Sequence, residues 1–121
     1  ELISMQSLEN LEIFKMAYQQ ALDCRKLSLN LDYPDKSEVG SQLRRSSQSV
    51  KDNIVEGYGR RRYKREYIKF LTYSYASNLE AKYQLKFIKD INPQLIPESI
   101  YDRTDKLGIM IFRFIKYLDN N

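Results

Sequence analysis

Apolar residues recur along the chain at alternating steps of three and four, and no stretch alternates in twos over the length of a strand, so the pattern predicts helices throughout. The first helix is predicted over residues 7–31, with a stripe at Leu11, Phe14, Tyr18, Ala21 or Leu22, and Leu29. DYPDKS, residues 32–37, ends it, because Pro34 disfavours helix at the preceding Tyr33. A second helix is predicted over residues 37–57 on Val39, Leu43, Ser46, Val50, Asn53 and Gly57, and its polar members Ser46 and Asn53 need partners if buried. The third, over residues 62–91, carries an unbroken four-three alternation of Tyr67, Leu71, Ser74, Asn78, Ala81, Leu85 and Ile88, with Ser74 and Asn78 expected to face Ser46 and Asn53. NPQLIP, residues 92–97, breaks the chain again. Pro97 then suits the first turn of a fourth helix, which ends near Leu118 and has a stripe of Ile100, Thr104, Leu107, Ile111, Phe114 and Leu118.

That last helix is apolar beyond its stripe. Nine of the twelve residues 107–118 are apolar, adding Ile109, Met110, Phe112, Ile115 and Tyr117. A helix apolar on all sides needs cover on more than one, and in so small a domain the second cover is another subunit. The first helix shows a milder version, with Ile13, Met16 and Ala17 beside its main stripe, so the expected subunit interface is Ile13, Met16, Ile109, Phe112 and Ile115. Four helices with short connections predict an all-α, antiparallel up-down-up-down four-helix bundle, a single domain over residues 1–121. A domain of this size buries roughly two-thirds of the surface its unfolded chain would expose.

Composition narrows the chemistry. The one cysteine, Cys24, has no intrachain disulfide partner, and with no histidine the chain lacks Cys/His metal sites and histidine acid–base catalysis. Cys24 stands beside Arg25 and Lys26, and a nearby cation lowers a thiol pKa, but a lone helical cysteine is more often a packed residue. Glu56 with Glu66 or Glu80 would make an acid–base couple, yet nothing in the spacing singles out a pair, and there is no phosphate-binding loop, dinucleotide fingerprint, nucleophile elbow or ExxH motif. The expectation is a protein without catalysis, cofactor or metal. No apolar run approaches the ~20 residues of a membrane span, and ELISMQSLENLEIF lacks the cationic start of a secretory signal, so the expected location is cytoplasmic, with no membrane partner.

Charge supplies the positive lead. The net +4 is ordinary, but residues 41–69 hold nine Lys and Arg against three Asp and Glu, a local +6 that leaves −2 for the rest. On the second helix these are Arg44, Arg45 and Lys51; after the expected turn at Gly57 and Gly59 come five cations in six positions, Arg60, Arg61, Arg62, Lys64 and Arg65. Guanidinium forks bind phosphate and stack on bases, and Tyr58, Tyr63 and Tyr67 are candidates for further stacking. Cations in a helix's first turn oppose its dipole, so selection for stability alone would place Asp or Glu there. The plain alternative is a solvated charged turn or a scaffold that docks protein.

SQLRRSSQSVKDNIVEGYGRR, residues 41–61, followed by EYIKFLTYSYASNLEAKYQLKF, residues 66–87, closely resembles the four-helix-bundle family named for proteins encoded in intervening sequences of bacterial large-subunit ribosomal RNA genes. The match runs through Gln42, Leu43, Arg44, Arg45, Ser49, Asn53, Ile54, Glu56, Gly57, Gly59 and Arg60, then Phe70, Leu71, Ser77 and Glu80. Ser46, Val50 and Val55 stand where the family pattern has alanine, isoleucine and alanine, and Tyr67 takes its first aromatic place. The resemblance implies a homopentameric bundle similar to the accessory protein of diversity-generating retroelements, which binds nucleic acid, RNA or DNA, and a reverse transcriptase, with no enzyme activity. It also implies a structural role for Asn53, Glu56, Gly57, Gly59 and Arg60 as a polar knot at the helix junction, leaving Arg61, Arg62, Lys64 and Arg65 for a ligand.

Overall fold

The computed structural model describes residues 7–121; residues 1–6, part of the stretch read against a secretory signal, lie outside the described residues. A short 3-10 turn at Leu8–Asn10 leads into α1 (Glu12–Leu29), followed by α2 (Val39–Gly59), α3 (Lys64–Ile91) and α4 (Glu98–Asp119). Helices pack in a closed ring, α1 on α2, α2 on α3, α3 on α4 and α4 on α1. Cross-contacts run antiparallel between α2 and α3, where Ser46 meets Gln84 while Ser49 meets Ser77, and between α3 and α4, where Asn78 meets Thr104 while Tyr67 meets Phe114. Among the described residues no helix is long and apolar enough to cross a membrane.

Several boundaries differ from the expected ones: α1 begins at Glu12 rather than at residue 7, after the 3-10 turn, and ends at Leu29; α3 begins at Lys64; and both ends of α2 shift for local reasons. The start of α2 shifts to Val39 because the Pro34 carbonyl accepts from the Ser37 and Glu38 N–H groups, each at 3.1 Å, and from Ser37 Oγ at 3.0 Å. Its end shifts past Gly57 to Gly59, since neither glycine takes a positive φ and neither turns the chain.

The stripes of α2, α3 and α4 bury largely as expected, and all seven stripe residues of α3 are inside. On α1 the buried face is instead Ile13, Ala17, Gln20, Ala21, Cys24, Leu27 and Ser28, whereas Tyr18, Leu22 and Leu29 are exposed. Small Ala17 and Cys24, both fully buried, put the slim side of α1 inward. Ile13, expected at a subunit interface, is therefore core in its own protomer, and Met16 lies partly buried against the same cluster.

The core falls into two apolar clusters. One, around Leu11, Ile54, Tyr67, Leu71, Leu107 and Ile111, underlies the α2–α3 junction; the other, around Cys24, Leu43, Leu85 and Ile88, fills the opposite end. A polar belt crosses between them. The Gln20 amide donates to Thr104 Oγ1 and to the Ile100 carbonyl at 3.3 Å, and its oxygen accepts from Arg103 Nε at 2.6 Å, while Arg103 also pairs with Asp23. Ser74 donates to the Val50 carbonyl at 2.7 Å and Asn78 to the Thr104 carbonyl at 2.9 Å, so this pair does not face Ser46 and Asn53. Ser46 instead donates to Gln84 Oε1 at 2.5 Å. Each bond satisfies a group whose burial alone would cost about 1–3 kcal/mol, and the set admits one register of the four helices. Burial pushes the Cys24 thiol up to about 12, so it stays protonated and unreactive near neutral pH.

Candidate nucleic-acid interface

Where α2 ends, Arg60 and Arg61 close a short turn: their N–H groups donate to the Gly57 and Tyr58 carbonyls at 3.0 and 3.1 Å, and Tyr63 N–H donates to the Arg60 carbonyl at 2.8 Å. Arg60 then bridges the two helices. Its Nε donates to Glu56 Oε2 at 3.0 Å and its Nη1 to Glu66 Oε1 at 3.1 Å, with the guanidinium 4.8 Å from the Phe70 ring centroid. Lys69 adds a second cation on Glu66 at 3.2 Å. Hydrogen bonding from Lys69, followed by the charges of Lys69 and Arg60, holds the Glu66 carboxyl below its usual range, so it is ionised and unsuited to act as a general acid at neutral pH.

Arg61 is also built into the fold, its guanidinium 3.9 Å from the Tyr58 ring centroid and its Nη1 donating to the Tyr58 carbonyl at 3.0 Å. Arg62, Lys64 and Arg65 point outward at the start of α3. The expected trio of stacking tyrosines is reduced to one. Tyr58 is half-buried beneath Arg61 and Tyr67 is 1% exposed in the core, whereas Tyr63 is 62% exposed. Two rings beside the junction, Phe70 and Tyr73, were not among the stacking candidates. The sequence signal was their spacing from Tyr63, since positions 63, 66, 70 and 73 share one line of a helix.

The eight candidate cations do not form one patch. Arg44 donates to Ser28 Oγ at 3.0 Å and to the Lys36 carbonyl at 3.1 Å, fastening the α1–α2 connection about 24 Å along α2 from Arg60. Arg45 is turned back onto Ser41 Oγ at 2.5 Å, and Lys51 pairs with Asp52 at 2.7 Å. Asn53 donates to the carbonyl of Ser49 at 2.9 Å and to its hydroxyl at 3.0 Å, and Ser49 in turn meets Ser77 of α3 at 2.7 Å.

The two glycines have different jobs. A Cβ at Gly57 would lie 3.1 Å from the Tyr67 ring and 3.3 Å from both the Phe70 Cβ and the Tyr67 carbonyl, so its bare backbone permits the close approach of α3. Nothing stands within 4 Å of a Cβ at Gly59. Gly57→Ala is therefore expected to destabilise by about 1–3 kcal/mol of overpacking, outweighing the ~1 kcal/mol of helix propensity it adds. Gly59→Ala is expected to raise stability by up to about 1 kcal/mol. Urea midpoints read both; equal shifts of the same sign would refute the packing role of Gly57.

Farther along, the outer face of α4 carries Ile109 and Phe112 exposed and Ile115 half-buried. Ile109 and Phe112 join Tyr75 and Leu79 of α3 around a groove of about 690 Å³, on whose floor lie Asn78 and Gly108. Among the described residues no cluster of three or more Cys, Asp or Glu is placed to hold a metal ion.

Fold and junction together define an all-helical bundle with five cations, Arg60, Arg61, Arg62, Lys64 and Arg65, where two helices meet. The chain belongs to the 23S rRNA-intervening sequence protein family, whose model matches residues 9–116. Its fold is similar to the crystal structure of a protein of unknown function from the S23 ribosomal protein family of Bacteroides thetaiotaomicron. That likeness covers 86% of this chain and 98% of the other, at 18% identity and a TM-score of 0.72. No curated protein matches the chain.

Proposed function

We propose that the protein is a non-catalytic, cytoplasmic homo-oligomer, a pentamer, whose protomers bind RNA or DNA backbone through the α2–α3 junction. The observation that carries this reading is the outward set Arg62, Lys64 and Arg65 at the N-terminal end of α3. These cations oppose the helix dipole, and Tyr63 at the N-cap position offers no side-chain hydrogen bond to the first-turn N–H groups. A phosphate resolves both at once, accepting from the backbone N–H groups and pairing with the cations. Three cations per protomer make a weak site alone; repeated around a ring they act together. The exposed Ile109 and Phe112 beside the α3–α4 groove are the surface on which a neighbouring copy would pack. The same groove supports a second reading, a scaffold that docks a protein such as a reverse transcriptase.

Native mass spectrometry with and without a 20-nucleotide oligouridylate tests the first reading. The expected species is five copies of the 14.4 kDa chain carrying RNA, with affinity per engaged protomer falling about 20-fold between about 50 and 200 mM salt for three phosphate contacts. A monomer at micromolar concentration would remove the oligomer. Failure to bind RNA at the lower salt would remove the nucleic-acid site and leave protein docking.

A further inference from the structure

We infer that the junction's ligand is single-stranded nucleic acid, held by unstacked bases on exposed rings as well as by its phosphates; the inference rests on the nucleic-acid reading above. Phe70 and Tyr73 share one face of α3 and Tyr63 stands at its N-cap, a stretch of ten residues or about 15 Å. Tyr63 is 62% exposed and Tyr73 is 49% exposed, and neither belongs to the buried stripe of α3 that builds the core. Phe70 meets Tyr73 edge to face at 5.5 Å between centroids. Cations stand over the rings, Arg62 at 5.8 Å from the Tyr63 centroid and Arg60 and Lys69 at 4.8 and 5.2 Å from that of Phe70.

Charge and ring geometry together favour a single strand over a duplex. Glu56 and Glu66 lie in the same patch and neutralise Arg60 and Lys69, so the phosphate-binding charge is Arg62, Lys64 and Arg65. Three phosphate contacts provide little of the electrostatic term on which duplex binding depends. The rings add nothing for a duplex either, because each of its bases is already covered above and below. A single strand presents free base faces to the exposed rings of Tyr63 and Tyr73, and such stacking is tolerant of sequence. A further exposed ring, Phe87 of α3, sits instead beside Glu38 and Glu80, where a phosphate chain would be repelled.

Fluorescence anisotropy of the whole protein with a labelled 20-nucleotide oligothymidylate, and with a hairpin duplex of equal charge, decides the matter. The single strand is expected to bind at least about 10-fold more tightly. Tyr63→Ala and Tyr73→Ala should each weaken it by about 5- to 150-fold without affecting the duplex, whereas Tyr63→Phe, Tyr73→Phe and Phe87→Ala should retain binding. Circular dichroism checks that these surface variants keep their helicity. Equal affinity for the two probes would overturn this inference and leave the nucleic-acid reading standing, while binding to neither would overturn that reading itself. A single-strand preference that survives the Tyr63→Ala/Tyr73→Ala double variant would overturn the ring assignment, and polyglutamate competing as well as oligothymidylate would overturn base recognition.

Discussion

Tyr67→Phe is expected to be more stable than the parent protein, and Tyr67→Ala less stable by about 3–5 kcal/mol. The ring is 1% exposed and packs edge to face on Phe114 at 5.7 Å, so truncation to alanine opens a cavity beneath the helix junction. Its hydroxyl is buried without a hydrogen-bond partner. An unsatisfied buried group costs about 1–3 kcal/mol, and phenylalanine removes the group while keeping the ring's contacts. The pH dependence provides a second readout. Burial, opposed by the charge of Arg61, pushes the Tyr67 phenol up to about 12, against about 10 in an unfolded chain. A raised folded-state pKa means this stabilisation is complete below pH ~10 and is lost as pH rises through about 12, some 1–2 kcal/mol between pH 8 and 11. Cys24, pushed up to about 12 by burial, has the same sign and acts from about pH 9. Urea melts at pH 8 and 11 should show a smaller alkaline loss in Tyr67→Phe than in the parent. If the phenylalanine variant is the less stable at pH 8, an unseen partner holds the hydroxyl and the orphan assignment is wrong.

The conflict over Tyr67 shows where sequence reasoning succeeds and where it stops. Periodicity placed the residue on the buried stripe of α3, while composition placed it among the stacking rings; a side chain facing the core cannot also face a ligand, and its burial settles which prevails. On α3 the alternation persists through seven positions, so no other face competes for the core. On α1 two faces satisfy the helical period, one led by Phe14 and Tyr18 and the other by Ile13 and Ala17. The choice lies in partners about 80 residues away, where Gln20 finds Thr104 and Ile100. The junction divides the same way. Glu56 and Arg60 are one helical turn apart, and their ion pair is legible as a local spacing. Arg44 is held by Ser28 and Lys36 from other segments, and no spacing rule connects an arginine to a distant hydroxyl and a turn carbonyl.

The combined variant Arg62→Glu, Lys64→Glu, Arg65→Glu is expected to lose at least about 100-fold in affinity for single-stranded RNA at moderate salt, while its unfolding midpoint holds or rises. Each change removes a phosphate contact and adds a repelling charge, shifting the patch by −6 relative to the parent. The same changes put acidic residues in and beside the first turn of α3, where each interacts favourably with the helix dipole by about 0.3–1 kcal/mol. Binding and stability should therefore move in opposite directions, which general unfolding cannot imitate. Arg60 provides the contrast, because its guanidinium is occupied by Glu56 and Glu66. Arg60→Gln should change RNA affinity by less than about threefold, and because the pairs it breaks are solvent-exposed its unfolding midpoint should move little. Arg61 is left intact in the test, since its stacking on Tyr58 would confound a loss of charge with a loss of packing. Anisotropy titrations paired with urea melts read both quantities, and unchanged RNA affinity in the triple variant would sink the assignment of the junction as the nucleic-acid site.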